Sequence, residues 1–191
     1  MKFKDILQLL TNHFEQEKID YALIGAFALK AYGYVRATQD VDFLVRNKHQ
    51  DEIIAYLESL GYETIYRSAG YSNHVNPVSK LGRIDFVYVK GQTAKDIFRE
   101  TRRLLILGDL SLPVISPEHL VALKVFAMKN DPDRVFREMA DIKHILSLPG
   151  IDIEAIKRYF NKYGQLERYY ELIGEKQSTT PPFRAGLEKR K

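Results

Sequence analysis

The chain has 191 residues, 45% of them hydrophobic, enough to bury a sizeable core as one compact unit with a helical C-terminal part. It has no cysteine, which excludes disulfides, cysteine-based zinc sites and thiol nucleophiles, and no apolar run approaches the roughly 18 residues a membrane span needs, so a cytoplasmic protein with no membrane partner is expected. A formal net charge of +4 and a pI near 9.1 suit a polyanionic partner, a nucleic acid or a triphosphate, without requiring one.

The N-terminal 18 residues read as an amphipathic helix rather than a signal peptide, with Ile6, Leu9, Leu10, His13 and Phe14 on one face. Residues 21–25 (YALIG) form a short apolar run suited to a buried strand, and residues 26–32 are rich in helix formers and stop near Gly33. Residues 40–45 (DVDFLV) resume the alternation of a strand. A second amphipathic helix is expected over 49–60, carrying Ile53, Ile54, Leu57 and Leu60 and stopped by Gly61. Strands are expected at 62–66, around 72–77 and, on stronger β-branched and aromatic content, at 83–89.

A short helix near 94–100 leads to a hairpin turning at Gly108-Asp109. Ser116 is then placed to cap a helix opening at Pro117, followed by helices over about 132–148 and 152–163. The reading is a sheet-bearing part over 1–115, a helical part over 116–176, and a disordered basic tail over 177–191, QSTTPPFRAGLEKRK, which lacks an apolar period.

Residues i and i+2 of a strand share a face, so Asp40 and Asp42 present two carboxylates side by side while Val41 and Phe43 point into the core. Like charges so close raise each other's pKa unless a cation sits between them, and Mg²⁺, a hard ion that takes carboxylate and phosphate oxygens, suits the pair. On its own, D-x-D more often marks a solvated strand end than a metal site. A third acid, Asp85, lies in an otherwise apolar strand where an unpaired charge is costly.

Gly25-Ala26, thirteen intervening residues and Asp40-Val41-Asp42, with Asp85 as a third acid, resemble the pattern of polymerase-β-like nucleotidyltransferases. RATQDVDFLV, with a downstream SPEHLVALKVFAMKNDPDRVFREMADIKHIL, is similar more narrowly to bacterial AbiE-type (MNT-like) toxin nucleotidyltransferases, over about residues 18–148. The resemblance implies an α+β (α/β) fold, a mixed β-sheet flanked by helices with a helical C-terminal part. It also implies Mg²⁺-dependent transfer of a nucleoside monophosphate from a nucleoside triphosphate to a hydroxyl on RNA, such as a tRNA end, or on a protein, with a cognate antitoxin as a partner.

Under that resemblance Asp40, Asp42 and Asp85 hold two Mg²⁺ ions, and Asp85 helps remove the acceptor's proton. Gly25 and Ala26 bring backbone N–H groups to the phosphates, Ala26 departing from the family's serine or glycine. Arg36 and Thr38 meet phosphate or acceptor from the loop before the metal strand, and Lys124 neutralises the leaving pyrophosphate. Arg134 and Asp141 support Lys124 or the substrate. Each has a plainer alternative: a strand-to-helix turn for Gly25, a solvated loop for Arg36 and Thr38, a snorkelling side chain for Lys124, a surface or interhelix ion pair for Arg134 and Asp141. Arg137 and Lys143 read as surface residues, and His74 and His144 as surface or packing residues.

Two competing functions stand beside the leading one. The first is a small-molecule, antibiotic-type nucleotidyltransferase. The second is an inactive nucleic-acid or protein-binding module, with the basic tail, Arg99, Arg102 and Arg103 contacting phosphates. The intact acids oppose the second, since carboxylates repel phosphate.

Overall fold

The computed structural model describes residues 3–78 and 82–174; the tail expected at 177–191 lies outside them. Helix α1 (Phe3–Gln16) is followed by strand β1 (Tyr21–Leu23), helix α2 (Gly25–Ala31) and strand β2 (Asp40–Arg46). After a 3₁₀ turn at Asn47–His49 come α3 (Gln50–Ser59), β3 (Glu63–Arg67), β4 (Tyr71–Val75) and β5 (Arg83–Val89). Helix α4 (Gly91–Glu100) and the hairpin of β6 (Arg102–Leu107) and β7 (Leu110–Val114) lead into α5 (Pro117–Asn130). A 3₁₀ turn at Pro132–Arg134, α6 (Val135–Leu146), α7 (Ile153–Lys162) and α8 (Leu166–Ile173) complete the described chain.

Among the described residues, seven strands make one mixed sheet in the order β3-β4-β5-β2-β1-β7-β6. Central β2 pairs parallel with β5 and antiparallel with β1, setting Asp40 opposite Arg83 and Asp42 opposite Asp85. Period-two alternation then gives the sheet one aromatic face and one polar face at its centre. On the aromatic face Phe43 and Phe86 stack at 5.7 Å, and Phe14 of α1 meets both edge-on at 5.6 and 6.2 Å. All three rings are fully buried, and truncating any of them would cost about 3–5 kcal/mol. The buried face of α1 is Ile6, Leu7, Leu10 and Phe14, so Leu7 takes the place expected of Leu9. His13 instead stacks on Tyr56 of α3 at 3.6 Å, which sets α3 beside α1 on this side of the sheet.

Ser116 caps α5 as its sequence position implies, accepting from the His119 N–H, with Pro117 in the first turn. Asp152 caps α7 in the same way through the Ala155 N–H. The helices after Ser116 share the core of the sheet, which runs from Ile6 on α1 to Tyr169 on α8. Helix α8 follows the last helix expected, that over 152–163. Among the described residues no helix is long and apolar enough to cross a membrane.

Candidate active site

Asp40 and Asp42 stand at the N-terminal end of β2 on the polar face, in register with Arg83 and Asp85 of β5. Gly25, where β1 gives way to α2, sits directly beneath Asp42. Its φ of +63° belongs to the left-handed region, and a Cβ there would lie 2.1 Å from Asp42 Oδ2. The Ile24 N–H donates to the Asp42 carbonyl at 2.9 Å, fixing this junction to β2. The close approach expected at Gly25 is therefore made, but to a carboxylate of the chain itself. The Ala26 side chain is buried.

Burial is the largest cause that raises the Asp42 carboxyl to about 6, followed by the charges of Asp85 and Asp40; Lys124 and Arg36 oppose them. The polar face thus carries a surplus of negative charge, with two cations from other elements near enough to be felt.

Asp85 is only 2% exposed, yet well supplied with donors. Asn73 Nδ2 donates to its Oδ1 at 2.6 Å, and the Tyr71 hydroxyl to its Oδ2 at 3.0 Å. The Asn73 amide also donates to the Tyr71 hydroxyl, locking both side chains of β4 around the acid. Arg83 adds Nε at 3.1 Å from Asp85 Oδ2, and its NH2 group lies 2.9 Å from the same oxygen and 3.2 Å from Asp40 Oδ2. Burial raises the Asp85 pKa, and the Asn73, Arg83 and Tyr71 contacts work against that rise.

Lys124 does not snorkel. It is 5% exposed, and its Nζ donates to Glu138 Oε2 at 2.7 Å and Asp141 Oδ2 at 2.5 Å. Arg134 reaches Glu138 Oε1 with Nε and NH2 at 3.0 and 2.6 Å, and Arg137 lies 3.4 Å from the same oxygen. Arg36 Nε stands 3.3 Å from Asp141 Oδ1, a charge contact rather than an aligned hydrogen bond. Burial disfavours the Glu138 carboxylate, but Lys124 and Arg134 outweigh it and lower the pKa. Asp141 thus supports Lys124 directly, whereas Arg134 supports it through Glu138, the acid the sequence reading passed over.

Thr38 serves its own loop: its hydroxyl bonds the Asp40 carbonyl and accepts from the Asp40 N–H at 3.2 and 3.3 Å. His74 is fully buried between Thr64 and Ser72 and edge-on to Phe86, and His144 stacks on Tyr34, so both are packing residues. Arg99 pairs with Asp96 and Glu100, and Arg103 with Glu15, which ties these arginines to acids of the chain. Arg83, Tyr71 and Asn73 went unnoticed in the sequence, although Arg83 and Asp85 share a strand face at i and i+2.

The family model for the nucleotidyl transferase AbiEii toxin, of the type IV toxin–antitoxin system, matches residues 8–190. The chain belongs to this family and is a nucleotidyltransferase. No curated protein matches it. Solved structures agree in fold. The antibiotic-resistance factor ANT(2'')-Ia is 14% identical, with a TM-score of 0.54 over 91% of each chain. The lincomycin-bound lincosamide antibiotic adenylyltransferase LnuA is 17% identical, with a TM-score of 0.50 over 74% of this chain and 94% of its own. A Thermotoga maritima protein classed as a nucleotidyltransferase is 13% identical, with a TM-score of 0.51 over 74% of this chain and 96% of its own.

A hard divalent cation fits the chemistry of the donor set, since Asp40, Asp42 and Asp85 are oxygen donors and burial, followed by the charges of Asp85 and Asp40, raises the Asp42 pKa. Among the described residues, however, no three acids are gathered closely enough to hold an ion as they stand. Arg83 ties Asp40 to Asp85, and Asp42 leans over Gly25.

Proposed function

We propose that this nucleotidyltransferase moves a nucleoside monophosphate from a nucleoside triphosphate to a hydroxyl on RNA, such as a tRNA end, or on a protein, and acts as a Mg²⁺-dependent toxin held in check by an antitoxin. One observation carries the reading: the parallel register that sets Asp42 beside Asp85, with Asp40 two residues before Asp42 on the same face. Asp40, Asp42 and Asp85 would together hold Mg²⁺. The ion, when bound, neutralises the triphosphate and the oxygens between which phosphorus passes.

The chain's own groups divide the remaining work. Lys124, Arg36, Arg134 and Arg137 set four cationic groups around the carboxylates of Glu138 and Asp141, a positive excess suited to the triphosphate. Backbone at Gly25 and Ala26 borders the phosphates beside Asp42, and Thr38 holds the loop that carries Arg36 into β2. Asp85 would also help remove the acceptor's proton once Arg83 no longer engages its carboxylate.

The test is incubation of the purified chain with each α-phosphate-labelled nucleoside triphosphate, Mg²⁺ and total RNA, beside the Asp40→Ala, Asp42→Ala double variant. Label on RNA or protein with the intact acids alone supports the reading and identifies base and acceptor. Absence of label, together with absence of metal-dependent triphosphate binding by calorimetry, overturns it.

A further inference from the structure

Arg83 touches two acids of the polar face at once, Asp40 and Asp85. Parallel pairing of β2 with β5 places it opposite Asp40, and the i, i+2 spacing places it beside Asp85. A single nitrogen, NH2, is shared between Asp40 Oδ2 at 3.2 Å and Asp85 Oδ2 at 2.9 Å. A Mg²⁺ ion bound by those oxygens would stand about 2.0–2.1 Å from each. The nitrogen and the ion cannot occupy that space together.

We propose that Arg83 is a resident counter-cation that bridges Asp40 and Asp85 in the metal-free enzyme and must withdraw its side chain before a divalent ion can bind them. The inference rests on the metal-dependent reading of the same site and adds a competition within it.

Three features make the withdrawal a side-chain movement. Guanidinium stays charged throughout the physiological range, so the contact cannot be released by loss of a proton. The Arg83 side chain is 41% exposed, which leaves it a path toward solvent, whereas Asp85 beneath it is buried. The backbone at this point is pinned. The Arg83 N–H donates to the Gln39 carbonyl, and Gly82, at φ +83°, approaches the same carbonyl so closely that a Cβ would stand 2.0 Å from it. Asp85 keeps Asn73 and Tyr71 as donors when Arg83 leaves, so the buried acid is not stranded. A resident cation of this kind keeps affinity for the free ion low and favours an ion that arrives with the triphosphate.

The experiment measures Mn²⁺ binding to the full chain without nucleotide, by calorimetry and by electron paramagnetic resonance, in the wild type, Arg83→Gln and Arg83→Lys, with Asp40→Asn as control. Arg83→Gln is expected to bind Mn²⁺ about tenfold more tightly than the wild type, and Arg83→Lys, which keeps the charge but not the fork, to fall between them. Its metal-free melting temperature should lie below that of the wild type, and the gap should close at saturating Mn²⁺. If Arg83→Gln does not fold, Arg83→Lys alone must bind more tightly than the wild type. Equal or weaker Mn²⁺ binding by the folded variants overturns the proposal, and if the wild type still transfers label the transferase reading survives. No Mn²⁺ binding by any variant, with no labelled product, overturns both.

Discussion

The Asp42 carboxylate rests against the α-carbon of Gly25, so closely that a Cβ on residue 25 would stand 2.1 Å from Oδ2. Two demands meet there. The backbone is left-handed, which costs a non-glycine residue about 1–3 kcal/mol, and the side chain above it belongs to the site. Gly25→Ala should therefore lower stability by about that amount and also displace Asp42. Thermal melting measures the first effect and metal-dependent triphosphate binding the second. A variant destabilised as expected but still binding Mg²⁺ and triphosphate like the wild type would mean that Asp42 can relax without cost to the site.

Lys124 lies between two buried acids, and removing it leaves Glu138 and Asp141 facing each other without their shared cation. Breaking such a buried pair costs about 3–5 kcal/mol, whereas neutralising every member costs far less. Lys124→Met should be strongly destabilised in urea, and the triple variant Lys124→Met, Glu138→Gln, Asp141→Asn should recover much of the loss. If the triple variant is as stable as the wild type yet inactive, the network serves the chemistry and is not needed for the fold. Equal stability of the single and triple variants would contradict the ion-pair account.

Local patterning made part of this site readable. The i, i+2 placement of Asp40 and Asp42, the stop at Gly33 and the Ser116-Pro117 cap all depend on neighbours in sequence, and each takes its expected place. The partner of Lys124 depends on how α5 packs on α6, so Glu138 was indistinguishable from a surface glutamate. Arg83 became meaningful only when β2 and β5 paired in parallel, a register that no local period encodes. The apolar strand around Asp85 marked the third acid, but nothing local revealed that it is held by Tyr71, Asn73 and Arg83.

His74 gives a pH signature unrelated to the site. It lies on the core face of β4, fully buried, and burial pushes its pKa from 6.5 down to about 4. Between those values the unfolded chain binds the proton and the folded chain does not, so stability rises with pH across that window. Falling pH should remove stability from about 6.5 downward, on the order of 3 kcal/mol by pH 4. In His74→Leu that part of the slope should vanish, although the variant also leaves the Ser72 and Thr64 hydroxyls without their ring partner. Urea titrations of both proteins from pH 4 to 8 measure the difference. Parallel stability curves would refute the assignment.

Tyr71 and Asn73 reach Asp85 from the neighbouring strand β4, on the same face of the sheet, and their hydroxyl and amide donate to its carboxylate. Their effect on turnover must therefore pass through the orientation of one carboxylate. A hydrogen bond to a charged acceptor contributes about 1.5–3 kcal/mol, so Tyr71→Phe should slow nucleotidyl transfer by roughly 10- to 100-fold. Triphosphate affinity should change little, because the lost donor faces Asp85 and not the phosphates. Asn73→Ala should be at least as severe, since it frees Oδ1 and also releases the Tyr71 hydroxyl it holds. Steady-state kinetics separate the outcomes. A fall in kcat at constant KM supports positioning of Asp85, while a rise in KM with kcat unchanged would assign the pair to substrate binding instead.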